Sequence, residues 1–277
     1  MGTLAEATSL AARGSGFVAQ LDPAWSGWGP AGGYLMAIAL RAVENAAPAG
    51  HRPVTMSCQF LSPGQNGETD VAVDVIKPGG SACSNVVLTQ SGRRIFQSQI
   101  WTTSRTRGPD EVTAPMPDVP RPEDVEPIEV SLKNSKTERV AFWSNIDCRP
   151  LAFREPGGPP ARNRYLQRWY RFKGSLAADD VFLNAACAAL LVDANVWASH
   201  WRMRDAPPDY TGPTLDTTVW FHESVGATGW VLVDAVSDVA RAGLVHGTVR
   251  VWSEDGRPIA TGGSQCLVVP LPPRPSA

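Results

Sequence analysis

An apolar helix pattern followed by a series of strand-like runs occurs twice in this chain, and that recurrence restricts the fold more than any other feature. In "GGYLMAIALRAVENAAP" (residues 32–48), Leu35, Ile38, Ala39, Ala42 and Val43 repeat at helical spacing and Pro48 closes the pattern. "VTMSCQFL" (54–61), "TDVAVDVI" (69–76), "CSNVVLTQ" (83–90) and "IFQSQIWTT" (95–103) then read as strands separated by turn residues. The second series opens with "DDVFLNAACAALLVDANVWASH" (179–200), whose leading acids suit a helix N-terminus and whose remainder is apolar. It continues with "TLDTTVWFH" (214–222), "GWVLVDAVSD" (229–238), "LVHGTVRVWS" (244–253) and "PIATGGSQCLVV" (258–269).

The letters repeat as well as the pattern. "CQFLSPGQNG" lines up with "VWFHESVGATG", and "TQSGRRIFQS" with "WSEDGRPIATG", at an offset of roughly 160 residues that suits two duplicated domains rather than a solenoid. Each half is expected to be one helix followed by a four-stranded antiparallel meander. The first repeat is placed at 1–104 and the second at 161–277, with a proline-rich linker and connecting segment at 105–160. Within that segment, "RTRGPDEVTAPMPDVPRPEDVEP" alternates prolines with charges and reads as an extended tether unable to bury a core. "FWSNIDCRPLAF" and "RYLQRWYRF" are strand candidates on either side of an "EPGGPPAR" loop.

Composition removes several functions. A formal charge of −2 without a basic block argues against nucleic acid as a partner. The five cysteines are scattered and never form a C-x-x-C pair, so neither a disulfide framework nor a zinc site is expected, and no cofactor is implied. The N-terminus lacks a signal pattern and no apolar run reads as long enough to span a bilayer, which makes a cytoplasmic protein the expectation.

Two places hold chemistry. In "TLDTTVWFH" a period of two puts Leu215, Thr217, Val219 and Phe221 on one face and Thr214, Asp216, Thr218, Trp220 and His222 on the other. In "LLVDANVW", Asp193 has Ala189, Leu190, Val196 and Trp197 as helical neighbours, an apolar setting that raises a carboxyl pKa towards the range of a general base. "WSGWGPAGGYL" leads into the first helix; Gly32 and Gly33 either offer free N–H groups to a carbonyl or phosphate, or simply let the helix start close to the sheet.

A long helix cradled by an antiparallel sheet and duplicated in one chain resembles the double hotdog fold, an α+β architecture, of the acyl-CoA thioesterase II family. "GGYLMAIAL" with "QFLSPG", the "LDTTVWFH" strand and "EDGRPIATGGSQ" carry the likeness over about residues 15–104 and 165–269. The resemblance implies hydrolysis of an acyl-CoA or other acyl thioester, with Asp193 as base and Thr214 and Gln265 holding the water. Gly32, Gly33 and His222 follow as substrate-binding candidates. It also implies one site per chain, because Asn45, Pro53 and Trp101 stand at the corresponding places of the first repeat. Competing readings are an acyl-thioester dehydratase or hydratase, for which His200 is the histidine on the helix, and a non-catalytic acyl-thioester binding or natural-product pathway protein on the same fold. The outer sheet surfaces leave room for a homo-oligomer.

Overall fold

The computed structural model describes residues 2–133, 140–154, 158–174, 177, 179–204, 209–225 and 229–271. In chain order its elements are α1 (Leu4–Ala7), β1 (Leu10–Arg13), β2 (Gly16–Leu21), α2 (Gly32–Ala46), β3 (Arg52–Phe60), β4 (Gly67–Lys77), β5 (Ser81–Gln90) and β6 (Arg93–Thr103). After α3 (Ile128–Leu132) come β7 (Ile146–Pro150), β8 (Leu166–Phe172), α4 (Val181–Trp201) and β9 (Tyr210–Thr211). The chain finishes with β10 (Thr214–Phe221), β11 (Val231–Arg241), β12 (Leu244–Ser253), β13 (Pro258–Leu267) and β14 (Val269–Pro270).

Twelve strands form one antiparallel sheet in the order β1-β2-β4-β5-β6-β3-β10-β13-β12-β11-β8-β7. The order reads the same from either edge once each strand is matched with its duplicate. β3 and β10 are therefore the central pair, and their register is symmetric about Ser57 and Thr218, whose hydroxyl oxygens lie 3.2 Å apart. The expected meander is corrected here: β3 pairs with β6 and β10, not with β4. Leaving the meander lets β3 meet its own duplicate and fuses two sheets into one. The repeat is also longer than the sequence pattern shows, since β1 and β2 precede α2 just as β7 and β8 precede α4. A boundary at residue 161 therefore separates β7 from the half to which it is paired. Short strands of mixed composition such as "LAAR" give little periodic signal.

α2 and α4 lie against the same side of the sheet and share one apolar cluster that runs through both halves. α4 is long and apolar enough to cross a membrane by length and composition, which corrects the expectation that no such run exists; 72% of that stretch is buried inside the fold. It is a core helix, apolar around its circumference because the sheet wraps it.

The linker does more than tether. Trp169, Trp230, Leu232 and Trp252 form a second cluster, and Met116, Val119 and Val125 from the proline-rich segment pack on it together with Leu151. Trp169 Nε1 donates to the Pro120 carbonyl at 2.9 Å, and Arg149 Nη1 donates to the carbonyls of Pro122 and Val125, each at 2.7 Å. Prolines remove N–H groups that would otherwise need partners, so this extended segment can lie on apolar surface at little cost.

The two helices approach most closely at Gly33, where a Cβ would sit 2.5 Å from the Leu190 Cα. Backbone cannot yield as a flexible side-chain end can. Gly33→Ala is expected to lose about 1–3 kcal/mol of stability, read as a lower urea midpoint with an unchanged m-value.

Candidate active site

Asp193 projects from the fourth turn of α4, partly exposed among buried neighbours, and each of its oxygens has a defined partner. Oδ2 accepts from the Gly33 N–H at 2.8 Å. Oδ1 accepts from the Thr214 hydroxyl at 3.1 Å and, more weakly, from the Thr217 hydroxyl at 3.4 Å. Thr217 Oγ1 also lies 2.8 Å from Ser264 Oγ. If Thr217 gives its single proton to Asp193, it accepts from Ser264, and the three groups form a chain. Burial raises the Asp193 pKa above the ordinary aspartate value; the Gly33 N–H and the two threonine hydroxyls pull it back in part. Among the described residues no cation takes part in holding it.

An irregularity in β10 explains how Thr214 and Thr217 reach the same carboxylate. Side chains three apart on a regular strand point to opposite faces. Here the pairing of β10 with β13 slips between Thr214 and Asp216, so that Leu215 bulges outward and is 37% exposed while Thr217 is fully buried. A bulge of this kind re-aims a side chain next to a site. The strict alternation expected from "TLDTTVWFH" fails at this one residue.

The same parity moves Gln265 away. Ser264 and Cys266 are buried on the helix side of β13, whereas Gln265 stands between them on the opposite face, across from Asp216 and His246. The structure therefore does not bring Gln265 to Asp193, and Ser264 occupies the position nearest the expected glutamine. His222 is also separated from the site. It follows the far end of β10, about 26 Å along the strand from Thr214 at a rise of about 3.3 Å per residue, and its Nε2 lies 3.0 Å from Thr261 Oγ1. Thr217 and Ser264 are the members that sequence reading missed; an aligned pair of hydroxyls on neighbouring strands was the available signal, hidden by the bulge.

Of the two readings offered for Gly32 and Gly33, close approach is the one the packing supports, and the Gly33 N–H is engaged by Asp193 rather than free. A Cβ on Gly32 would lie 2.7 Å from Asp193 Oδ2 and 2.9 Å from the Phe60 ring, so glycine is needed for the approach. Gly33 supplies the N–H that orients the carboxylate. The N-cap of α2 is Ala31, which makes no side-chain cap, so the positive end of the helix is left for other groups.

In the first half the same slip recurs between Pro53 and Thr55 where β3 meets β6, so the registers of the two halves match. Pro53 stands opposite Thr102, as Thr214 stands opposite Cys266. Met56 and Ile100 stand where Thr217 and Ser264 do, and Asn45 donates to the Arg41 carbonyl of its own helix at 2.8 Å. His200 does not form an acid–base pair with Asp193: it is buried, Nε2 lies 2.9 Å from the Tyr210 hydroxyl, the ring stacks on Trp197, and burial lowers its pKa to about 4.

Two family models match the chain, one in each half. Residues 21–103 match the model of an acyl-CoA thioesterase N-terminal domain, and residues 109–268 that of an acyl-CoA thioesterase C-terminal domain. Acyl-coenzyme A thioesterase 8 of Homo sapiens is 24% identical over 255 residues, covering 83% of this chain and 78% of the relative. Among solved structures, a tesB protein of Mycobacterium avium subspecies paratuberculosis is similar with a TM-score of 0.78 at 21% identity, over 96% of this chain and 98% of that one. A hot dog fold protein of unknown function from Alicyclobacillus acidocaldarius has a TM-score of 0.81 at 20% identity, over 98% of both chains.

The raised pKa has a consequence for stability. The folded state holds the Asp193 proton more tightly than the unfolded chain does, so this group favours folding at acid pH and loses that contribution as pH rises through its folded-state pKa. At neutral pH the charge is a burden. Asp193→Asn is expected to raise the melting temperature at pH 7, and the gain is expected to shrink as the pH is lowered to 4; a lower melting temperature at both values would contradict the geometry.

Proposed function

The chain belongs to the acyl-CoA thioesterase family, and we propose that it performs its hydrolysis with one water activated by Asp193 and aimed at the thioester carbonyl. The observation that carries this reading is the carboxylate itself, desolvated, without a cationic partner among the described residues, and oriented by three hydrogen-bond donors at the N-terminus of α2. A base so placed keeps its affinity for a proton while its geometry is fixed.

The balance of the reaction follows. Water oxygen forms a bond to the carbonyl carbon as Asp193 accepts its proton, with Thr214 as the neutral partner that keeps the water in line. Negative charge then appears on the carbonyl oxygen, where the N-terminal turn of α2 and its dipole favour it. Collapse of the tetrahedral intermediate breaks the carbon–sulfur bond. The proton held by Asp193 passes to the departing sulfur, leaving free acid and coenzyme A. Thr217 and Ser264 fix the carboxylate from the side away from the substrate.

The neutral, aromatic-packed His200 speaks against dehydration, which requires a histidine poised beside an acid. We also place the enzyme in lipid metabolism and in the cytoplasm, where buried thiols such as Cys58 and Cys266 stay reduced.

Thiol release from a panel of acyl-CoA esters, acetyl to palmitoyl, tests the reading. Asp193→Asn is expected to lower kcat by about 10²–10⁴ while circular dichroism stays native; full activity in that variant would end the assignment. Thr214→Val should lower kcat by a smaller factor with little change in KM. In the wild type kcat/KM should fall on the acid side with a midpoint above the ordinary aspartate value, because the base must be ionised.

A further inference from the structure

Trp28 is 91% exposed, whereas the next most exposed large hydrophobic side chain among the described residues is Val112 at 57%. It is not on a loose loop. Ser26 and Pro30 form a β-bridge, the Gly27 N–H donates to the Gly29 carbonyl at 2.9 Å, and the Ala31 N–H donates to the Trp25 carbonyl at 3.1 Å. The tight hairpin that results has Trp28 at its tip. Its flank is fastened to the loop after β3, since Ser26 Oγ donates to Asn66 Oδ1 at 2.5 Å. An indole held rigidly in solvent gains nothing from burial and loses little entropy on meeting a flat ligand.

The hairpin runs directly into the active site. Trp28 is four positions from Gly32, where an added Cβ would lie 2.7 Å from Asp193 Oδ2, so the tip lies within about 14 Å of the reacting region at an extended reach of about 3.6 Å per residue. A charge of the right sign reaches the neighbouring loop from the start of β6. Arg93 Nη2 donates to the Pro63 carbonyl at 3.0 Å, and among the described residues no carboxylate pairs with this exposed guanidinium. The hairpin and this loop are adjacent: a Cβ on Gly29 would lie 3.1 Å from the Gly64 carbonyl oxygen, and one on Gly64 would lie 3.8 Å from Pro30 Cγ.

Resting on the acyl-CoA thioesterase reading, we propose that Trp28 is the platform on which the adenine of coenzyme A stacks, with Arg93 taking the adjoining phosphates. The substrate then spans from Asp193, where the thioester reacts, along the α2 N-terminus to the hairpin, where the nucleotide rests. An aromatic face accepts a purine by stacking, and a free guanidinium binds phosphate oxygens in a fork. Trp28 is a binding residue for the part of the substrate that does not react.

The test compares one acyl group on two thiols, coenzyme A and N-acetylcysteamine, which lacks the nucleotide. Trp28→Ala is expected to raise KM for the coenzyme A ester about tenfold, from the loss of one base–aromatic stack, with kcat retained. Inhibition by free coenzyme A should weaken by a similar factor, and Trp28→Phe should recover most of the affinity. Arg93→Ala should raise the same KM in a manner that added salt diminishes. On the N-acetylcysteamine ester both variants should match the wild type within twofold. Equal losses on the two esters would mean a structural role, and no change on either would mean an idle side chain; each overturns the proposal. Failure of the wild type to release thiol from either ester would instead strike at the hydrolase reading.

Discussion

At Gly33 the first turn of α2 passes so close to Leu190 that no side chain fits between the two backbones, and its N–H reaches Asp193 one turn further along α4. The crossing serves packing and chemistry together. Because the helices come from different halves, the carboxylate of one half is oriented by the other, and neither half alone holds the arrangement. The sheet supplies the remaining wall by presenting Thr214, Thr217 and Ser264 from its central strands. Fusing two halves through β3 and β10 is thus what gives the site its fixed geometry.

Duplication would supply two such arrangements, and among the described residues the carboxylate with its hydroxyl donors is found in the second half. Both halves retain the backbone slip at the start of the central strand, so the difference lies in side chains on a common frame. In the first half Pro53, Met56 and Ile100 provide no donor at the places of Thr214, Thr217 and Ser264. The corresponding helix junction is occupied by ions instead: Arg41 Nη1 meets Asp180 at 3.1 Å and also pairs with Glu44. Those carboxylates are committed to the Arg41 guanidinium, whereas Asp193 is held by neutral donors.

Much of this was legible in the sequence because it is periodic. The two long helices, the strands that follow them and the duplication all show in the apolar pattern, and Asp193 stands out as an acid in an otherwise apolar helix. What was not legible depends on events that periodicity hides. A single extra residue at Leu215 changes which face each side chain occupies, which made Thr217 look like core and gave no warning of its bond to Asp193. One place on β13 separates Gln265, pointing outward, from Ser264, pointing in. The packing of the proline-rich segment over Trp169 and Trp252 was equally hidden, because extended chain that buries apolar surface has no period of its own.

The choice of hydroxyls around Asp193 decides which group can act. An arginine or lysine in place of Thr214 would orient the carboxylate as well, but would lower its pKa and leave it a poor base. Hydroxyls fix direction with a smaller effect on basicity, and burial then raises the pKa. The same burial suppresses rival nucleophiles. Cys266 is pushed up to about 12 by desolvation and then by the charge on Asp193, and Cys58 is raised well above the ordinary thiol by the same two causes in the same order. Neither thiol can ionise beside the carboxylate. The proposed chemistry requires this arrangement, in which the negative charge rests on Asp193 and the neighbouring thiols stay neutral.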